Sequence, residues 1–211
     1  KAAVRALSRG PKEAGVWLNT GEGGLSPFHL EGGGDVIVQI GTARYGVRDE
    51  HGGLSDDKLR EAAAHQSVRM FEVKLAQGAK PGKGGILPGE KVKPEIAEIR
   101  GIAAGSDSLS PNRLLGVDDW GDLLDLVWHI REVTGKPVGI KTVVGTEDGL
   151  QGLFDEIGAR GPQSAPDFIT IDGGEGGTGA APMPLIDLVG MSIREALPLV
   201  ADMRDAAGLK V

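Results

Sequence analysis

The chain has 211 residues, a formal net charge of −7 and no cysteine. The negative balance disfavours nonspecific binding to nucleic acid or an anionic membrane, because both need concentrated positive charge. Missing thiols exclude a disulfide, a thiolate metal site and iron–sulfur ligands within these residues.

No stretch approaches the roughly 20 consecutive apolar residues of a membrane-spanning helix, and the first residues lack the order of a signal peptide. A soluble, cytoplasmic, single-domain protein acting on a small molecule is expected, with neither nucleic acid nor membrane as partner. Lys1 stands where an initiator Met would, and residues 209–211 read like the first residues of a strand. Both ends are therefore expected to be truncations.

In chain order, residues 16–19 and Val36–Ile40 are short apolar or β-branched runs bounded by glycine, as buried parallel strands tend to be. Ser55 is a good N-cap, and Leu59, Ala62, Ala63, Val68, Phe71 and Leu75 follow at helical spacing, so a long amphipathic helix is expected over 56–76. A loop over 78–91 precedes a helix near 95–103 and a short strand around 107–110. Leu123, Leu124, Val127 and Trp128 share one face of a helix over 118–133 that stops before Gly135-Lys136-Pro137. A strand over 138–144, a helix over 147–160, a strand over 168–172 and a helix over 192–207 complete the alternation.

Strands alternating with such helices call for a parallel sheet that gathers ligands at its carboxyl ends. Polar residues end several strands in succession: Asn19 and Thr20, Gln39, Ser110, Lys141 and Asp172. That convergence favours a barrel over an open sheet. The 35 glycines cluster between the periodic segments, in runs such as 21–24, 82–85 and 173–179, where they permit positive φ and the close backbone approach that cradles anionic or planar ligands.

Lys141 lies inside the apolar run 138–144, where an ammonium is costly unless paired or functional. A cation there suits an electron-rich cofactor such as a flavin, whose reduced ring gathers negative charge. Lys74, Lys80 and Lys83 lie in and before a glycine-rich loop, suited to a dicarboxylate or phosphate, and Arg100 can add a bidentate grip. Gly174-x-Gly176-x-x-Gly179 matches the dinucleotide fingerprint but runs into Ala180-Ala181-Pro182 rather than opening a helix, which argues against NAD. His29, His51, His65 and His129 show no paired metal spacing, so no metal is expected. Asp56 and Asp57 read as helix-start charge.

Four ordered segments, Asn19 through Gly24, Gln39 through Val47, Gln77 through Gly89 and Asp172 through Pro182, together resemble the FMN-binding synthase domain of glutamate synthase. Residues 110–113 and 164–167 look closest to its stand-alone branch. The resemblance implies an α/β fold, a (β/α)8 TIM-type barrel that is partial here, its opening strand and late strands lying outside these residues. It implies FMN-dependent reductive amination of 2-oxoglutarate with ammonia, through 2-iminoglutarate, to L-glutamate. It assigns Asn19, Gln39, Thr42, Arg44, Lys141, Asp172, Gly173 and Gly174 to the cofactor. Lys74, Lys80, Arg100 and Ser110 go to the 2-oxo acid, and Lys141 and Glu22 to catalysis. An iron–sulfur cluster would belong to a downstream part, and a glutaminase domain and an electron-donor protein are the implied partners. Ile86 departs from the family's Gly-Gly-Gln-Leu-Pro-Gly motif, and Asn112-Arg113 from its proline- and histidine-rich stretch. A subunit similar to methylamine–glutamate N-methyltransferase, or a nonenzymatic barrel remnant, is the alternative.

Overall fold

The computed structural model describes residues 2–76, 78–81, 84–176 and 181–209. Its strands are β1 (Leu18–Asn19), β2 (Val36–Ile40), β3 (Val68–Lys74), β4 (Gly85–Leu87), β5 (Ser108–Ser110), β6 (Val138–Val143) and β7 (Ile169–Asp172), of which β2, β6 and β7 are rich in the β-branched residues that favour strands. Strands β1, β2, β3, β6 and β7 make one sheet in that order, every neighbouring pair parallel. The connections run through α3 (Asp56–Ala64), α5 (Trp120–Thr134) and α6 (Gln151–Arg160), and α7 (Ile193–Ala206) follows β7. Residues 147–150, expected in a helix, form a turn before α6.

Alternation sorts the strand side chains onto two faces. Val36, Val38, Ile40, Phe71, Val73, Val138 and Ile140 join Leu59, Leu123, Leu124, Val127, Ile130, Leu153 and Ile157 from the helices in one core cluster. Asn19, Ile37, Gln39, Glu72, Lys74, Lys141 and Thr170 instead line a common cleft on the other face. That inner face is curved. Asn19 on β1 and Thr170 on β7 both reach the Glu72 carboxylate on β3, each from two strands away. In a flat sheet each would have to span roughly 9–10 Å between strands, beyond short side chains. The sheet is therefore curled into part of a barrel.

The expected helix over 56–76 is two elements. It ends at Ala64, where His65 turns to φ −68 and ψ 124, and residues 68–74 pair as the central strand. A register shift explains why the pattern looked helical. Val68 pairs with Val36, but Met70 pairs with Ile37, so Arg69 is an extra residue. Such a bulge puts Val68 and Phe71, three apart, on the same face, which imitates the i, i+3 spacing of a helix.

Ser110 does not end a barrel strand, because β5 pairs antiparallel with β4 in a separate two-stranded arm. Helix α4 (Pro94–Arg100) starts with its proline at the first turn and ends on Gly101 at φ 69. Helices α1 (Ala2–Ala14) and α2 (Pro27–Leu30) precede β1 and β2; neither is among the expected elements, although α1 is amphipathic and α2 opens on Ser26 and Pro27. Among the described residues, no helix is long and apolar enough to cross a membrane.

Burial holds the His29 imidazolium below its ordinary value of 6.5, outweighing hydrogen bonds to the Ser26 and Thr20 backbones. The Ser26 N–H donates to Nδ1 at 2.9 Å, so the folded ring is neutral. The unfolded chain protonates near 6.5 while the native ring does not, so stability is complete above that pH and lost as pH falls below it toward the lowered native value. Chemical unfolding of wild type and His29→Gln at pH 7.5 and 5.5 should show a smaller acid-induced loss in the variant; equal losses would remove His29 as the cause.

Candidate active site

Two cavities open at the carboxyl ends of the parallel strands. The larger, about 510 Å³, is the inner-face cleft lined by Trp17, Asn19, Gln39, Glu72, Lys141 and Thr170. The smaller is lined by Thr42, Lys80, Gly84, Gly85, Ser110 and Asn112. Glu22 and Lys74 line both. Lys74 Nζ lies 2.9 Å from Glu22 Oε2, its side chain only 11% exposed, so this ion pair is the wall between the cavities.

Parallel register sets the cleft chemistry. Gln39 is level with Glu72, and Lys74 with Lys141, across the three central strands. Two ammonium groups thus stand side by side, an arrangement that is tolerable only with counter-charges. Each has one: Glu22 faces Lys74, and Asp172 Oδ2 lies 3.5 Å from Lys141 Nζ. Asp172 also accepts the Gly78 N–H at 2.9 Å. A Cβ on Gly78 would overlap the Gly173 carbonyl oxygen, so only glycine lets this loop lie against the end of β7.

Lys80 is buried, and its Nζ donates to the Gly84 carbonyl at 3.3 Å. A side chain at Gly84 would collide with the Ser110 carbonyl oxygen. The tight approach of this loop to the β4–β5 arm encloses the small cavity around a buried ammonium. The Thr42 hydroxyl donates to the Pro111 carbonyl at 2.7 Å and fastens the far side.

Other expected site residues are placed elsewhere. Arg44, left-handed at φ 53, donates to the Leu115 carbonyl at 2.6 Å, and burial lowers its pKa. Arg100 donates to Ser108 Oγ at 2.6 Å and stacks over the Tyr45 ring at 4.9 Å. Neither guanidinium lines the two cavities. Gly173 and Gly174 pack against Ile193 and the Gly190 backbone. Of the fingerprint glycines, Gly179 lies outside the described residues, and α7 does not begin until Ile193. Lys83 lies outside them too. Lys74, expected at the end of a helix, ends β3 instead. Among the described residues no acidic or histidine cluster could hold a metal ion.

Glu72 is the group that sequence reasoning missed. It is 1% exposed. Its Oε1 accepts from Asn19 Nδ2 at 2.9 Å and Gln39 Nε2 at 2.6 Å, and its Oε2 accepts from Thr170 Oγ1 at 2.6 Å. The available signal was the pair Glu72 and Lys74 at strand spacing, which the helical reading of 56–76 hid.

A family model described as a conserved region in glutamate synthase matches residues 1–210. The chain belongs to the glutamate synthase family. It is 46% identical over 209 residues to the glutamate synthase large subunit-like protein YerD of Bacillus subtilis (strain 168), covering 99% of this chain and 39% of that protein. It is 38% identical over 210 residues to the archaeal-type glutamate synthase [NADPH] of Thermotoga maritima, covering 99% and 38%. Against the archaeal glutamate synthase [NADPH] of Methanocaldococcus jannaschii it is 35% identical, covering 97% and 37%. This stretch of a glutamate synthase relative thus spans less than two fifths of the curated proteins it matches.

The Glu72 hydrogen bonds define a stability test. In Glu72→Gln, the amide oxygen can still accept from Asn19 and Gln39 and its NH2 can donate to Thr170 Oγ1, so the expected cost is about 1 kcal/mol. Glu72→Leu leaves three polar groups without their acceptor and should cost about 3 kcal/mol or more. Urea denaturation of both variants checks the ordering; similar losses would reduce Glu72 to a space-filling role.

Proposed function

We propose that this chain is the catalytic barrel portion of an FMN-dependent glutamate synthase, converting 2-oxoglutarate and ammonia to L-glutamate through 2-iminoglutarate. The carrying observation is the pair of cavities at the strand ends that share the Lys74–Glu22 wall. One is suited to a planar cofactor and the other to a carboxylate. Family membership and the glutamate synthase names of the relatives agree with this reading. The proposal includes closure of the curled sheet into a (β/α)8 barrel by residues outside this chain.

The residues fit a flavin. Its ring edge is rich in acceptors, and the cleft offers two ammonium groups and the Gln39 amide. Lys141, held by Asp172, supplies the positive charge that a reduced isoalloxazine calls for. When bound, reduced FMN supplies the hydride that turns an imine into an amine. Its phosphate falls to residues beyond this chain. So does any iron–sulfur cluster, since these 211 residues hold no cysteine.

Lys80, buried against the Gly84 carbonyl, binds a carboxylate of the 2-oxo acid, with Ser110 beside it. Ammonia adds to the 2-oxo carbon there, water leaves, and a proton is needed at the imine nitrogen. Glu22 stands in the shared wall beside Lys74 and is assigned to take up the proton that ammonia loses on addition and return it to the imine nitrogen. Arg100 orders the β4–β5 arm through Ser108 and Tyr45, so it acts on the 2-oxo acid site through that arm.

The purified full-length protein should show the visible absorbance bands of an oxidised flavin. A colourless protein that FMN cannot reconstitute would overturn the cofactor assignment. Lys141→Met should lower the flavin midpoint potential by on the order of 1–2 kcal/mol, less than a sealed charge would give because the side chain is 23% exposed. An unchanged potential would reassign Lys141. Lys80→Glu should raise the KM for 2-oxoglutarate at least tenfold, with a smaller effect on kcat; steady-state kinetics with an unaltered KM would make Lys80 a loop-ordering charge.

A further inference from the structure

The Glu72 carboxylate does more than join strands, because it decides which atoms the cleft shows to a ligand. A carboxylate accepts and does not donate. The carboxamide atom of Gln39 that lies 2.6 Å from Glu72 Oε1 must therefore be the NH2, and the Gln39 carbonyl oxygen points elsewhere. Asn19 cannot invert this polarity. Its own amide is fixed at both ends, Nδ2 donating to Glu72 and Oδ1 accepting the Gly21 N–H at 2.9 Å. The Thr170 hydroxyl is likewise spent on Oε2.

The Gln39 carbonyl oxygen is left over. Gln39 is 4% exposed and lines the cleft. Among the described residues nothing donates to its Oε1, yet Oε1 is not one of the sealed, unpartnered polar atoms. It is therefore open to the cleft. Set alongside Lys74 and Lys141, which can only donate, that carbonyl oxygen gives the sheet face of the cleft a mixed pattern. It recognises a ligand edge that offers an N–H among carbonyl or ring-nitrogen acceptors.

We infer that Glu72 is a positioning residue: by holding the Gln39 and Asn19 amide NH2 groups on itself, it turns the Gln39 carbonyl oxygen toward the ligand and makes the cleft select for a ring N–H. This deepens, and rests on, the FMN reading, since an oxidised isoalloxazine carries a single ring N–H, at N3. Gln39 is the group that would meet it.

The test is equilibrium binding of FMN and of its N3-methyl analogue to the full-length apoprotein, followed by flavin fluorescence. Wild type should prefer FMN by roughly tenfold or more, the scale of one well-placed hydrogen bond. Glu72→Gln should keep that preference, because Asn19 still pins the amide oxygen of the new side chain toward Gln39. Glu72→Leu releases Gln39, and the preference should fall below about twofold. Gln39→Met removes the acceptor while leaving Glu72 bonded to Asn19 and Thr170, so it gives the same answer should Glu72→Leu fail to fold.

A purely structural Glu72 would weaken both flavins equally and leave the ratio intact, which would overturn the inference. A wild type that binds both flavins equally would also overturn it, while leaving the FMN reading in place. A protein that binds neither flavin would end both.

Discussion

Everything on the inner face depends on one buried carboxylate. Glu72 sits at the centre of a five-stranded sheet and takes hydrogen bonds from β1, β2 and β7. An acid removed from water is strongly disfavoured unless its lone pairs are filled, and here the fillers come from both edges of the sheet. Satisfying Glu72 requires the sheet to bend. The need to solvate a single charge internally thus becomes curvature, and curvature brings the polar strand ends into one mouth.

The cavities beyond that centre follow from backbone approach. Gly78 against Gly173, and Gly84 against Ser110, are contacts that a Cβ would forbid. They draw the loop after β3 down onto β7 on one side and onto the β4–β5 arm on the other. Lys74 lies at the end of β3 where these loops diverge, and its pairing with Glu22 separates two spaces of different character. The two cavities therefore lie side by side with only this ion pair in common.

Paired cations impose an order of their own. Lys74 and Lys141 are neighbours in register, and their repulsion is relieved by Glu22 and Asp172 on different loops. Asp172 in turn receives the Gly78 N–H. Neutralising Lys141 and closing the loop over the sheet are therefore linked through one carboxylate. Arg44 and Arg100 work at longer range, tying residue 115 and the β4–β5 arm to the turn after β2.

The sequence by itself determined the α/β alternation, the strands over 36–40 and 138–143, the helices that cover them, and the concentration of Asn19, Gln39, Lys141 and Asp172 at strand ends. These follow from local periodicity and from the cost of polar groups inside apolar runs, which act over a few residues. Tertiary structure alone decided the rest. The bulge at Arg69 exists because Val68 and Met70 must pair with adjacent residues of β2, and it disguised the central strand as a helix. Ser110 joined an antiparallel arm, and Arg100 turned to Tyr45, because their partners lie far away in sequence. Glu72, one acid among 30 acidic residues, acquired its meaning only when strands 53 and 98 residues away delivered their donors to it; no local pattern encodes which distant side chains will surround a buried charge.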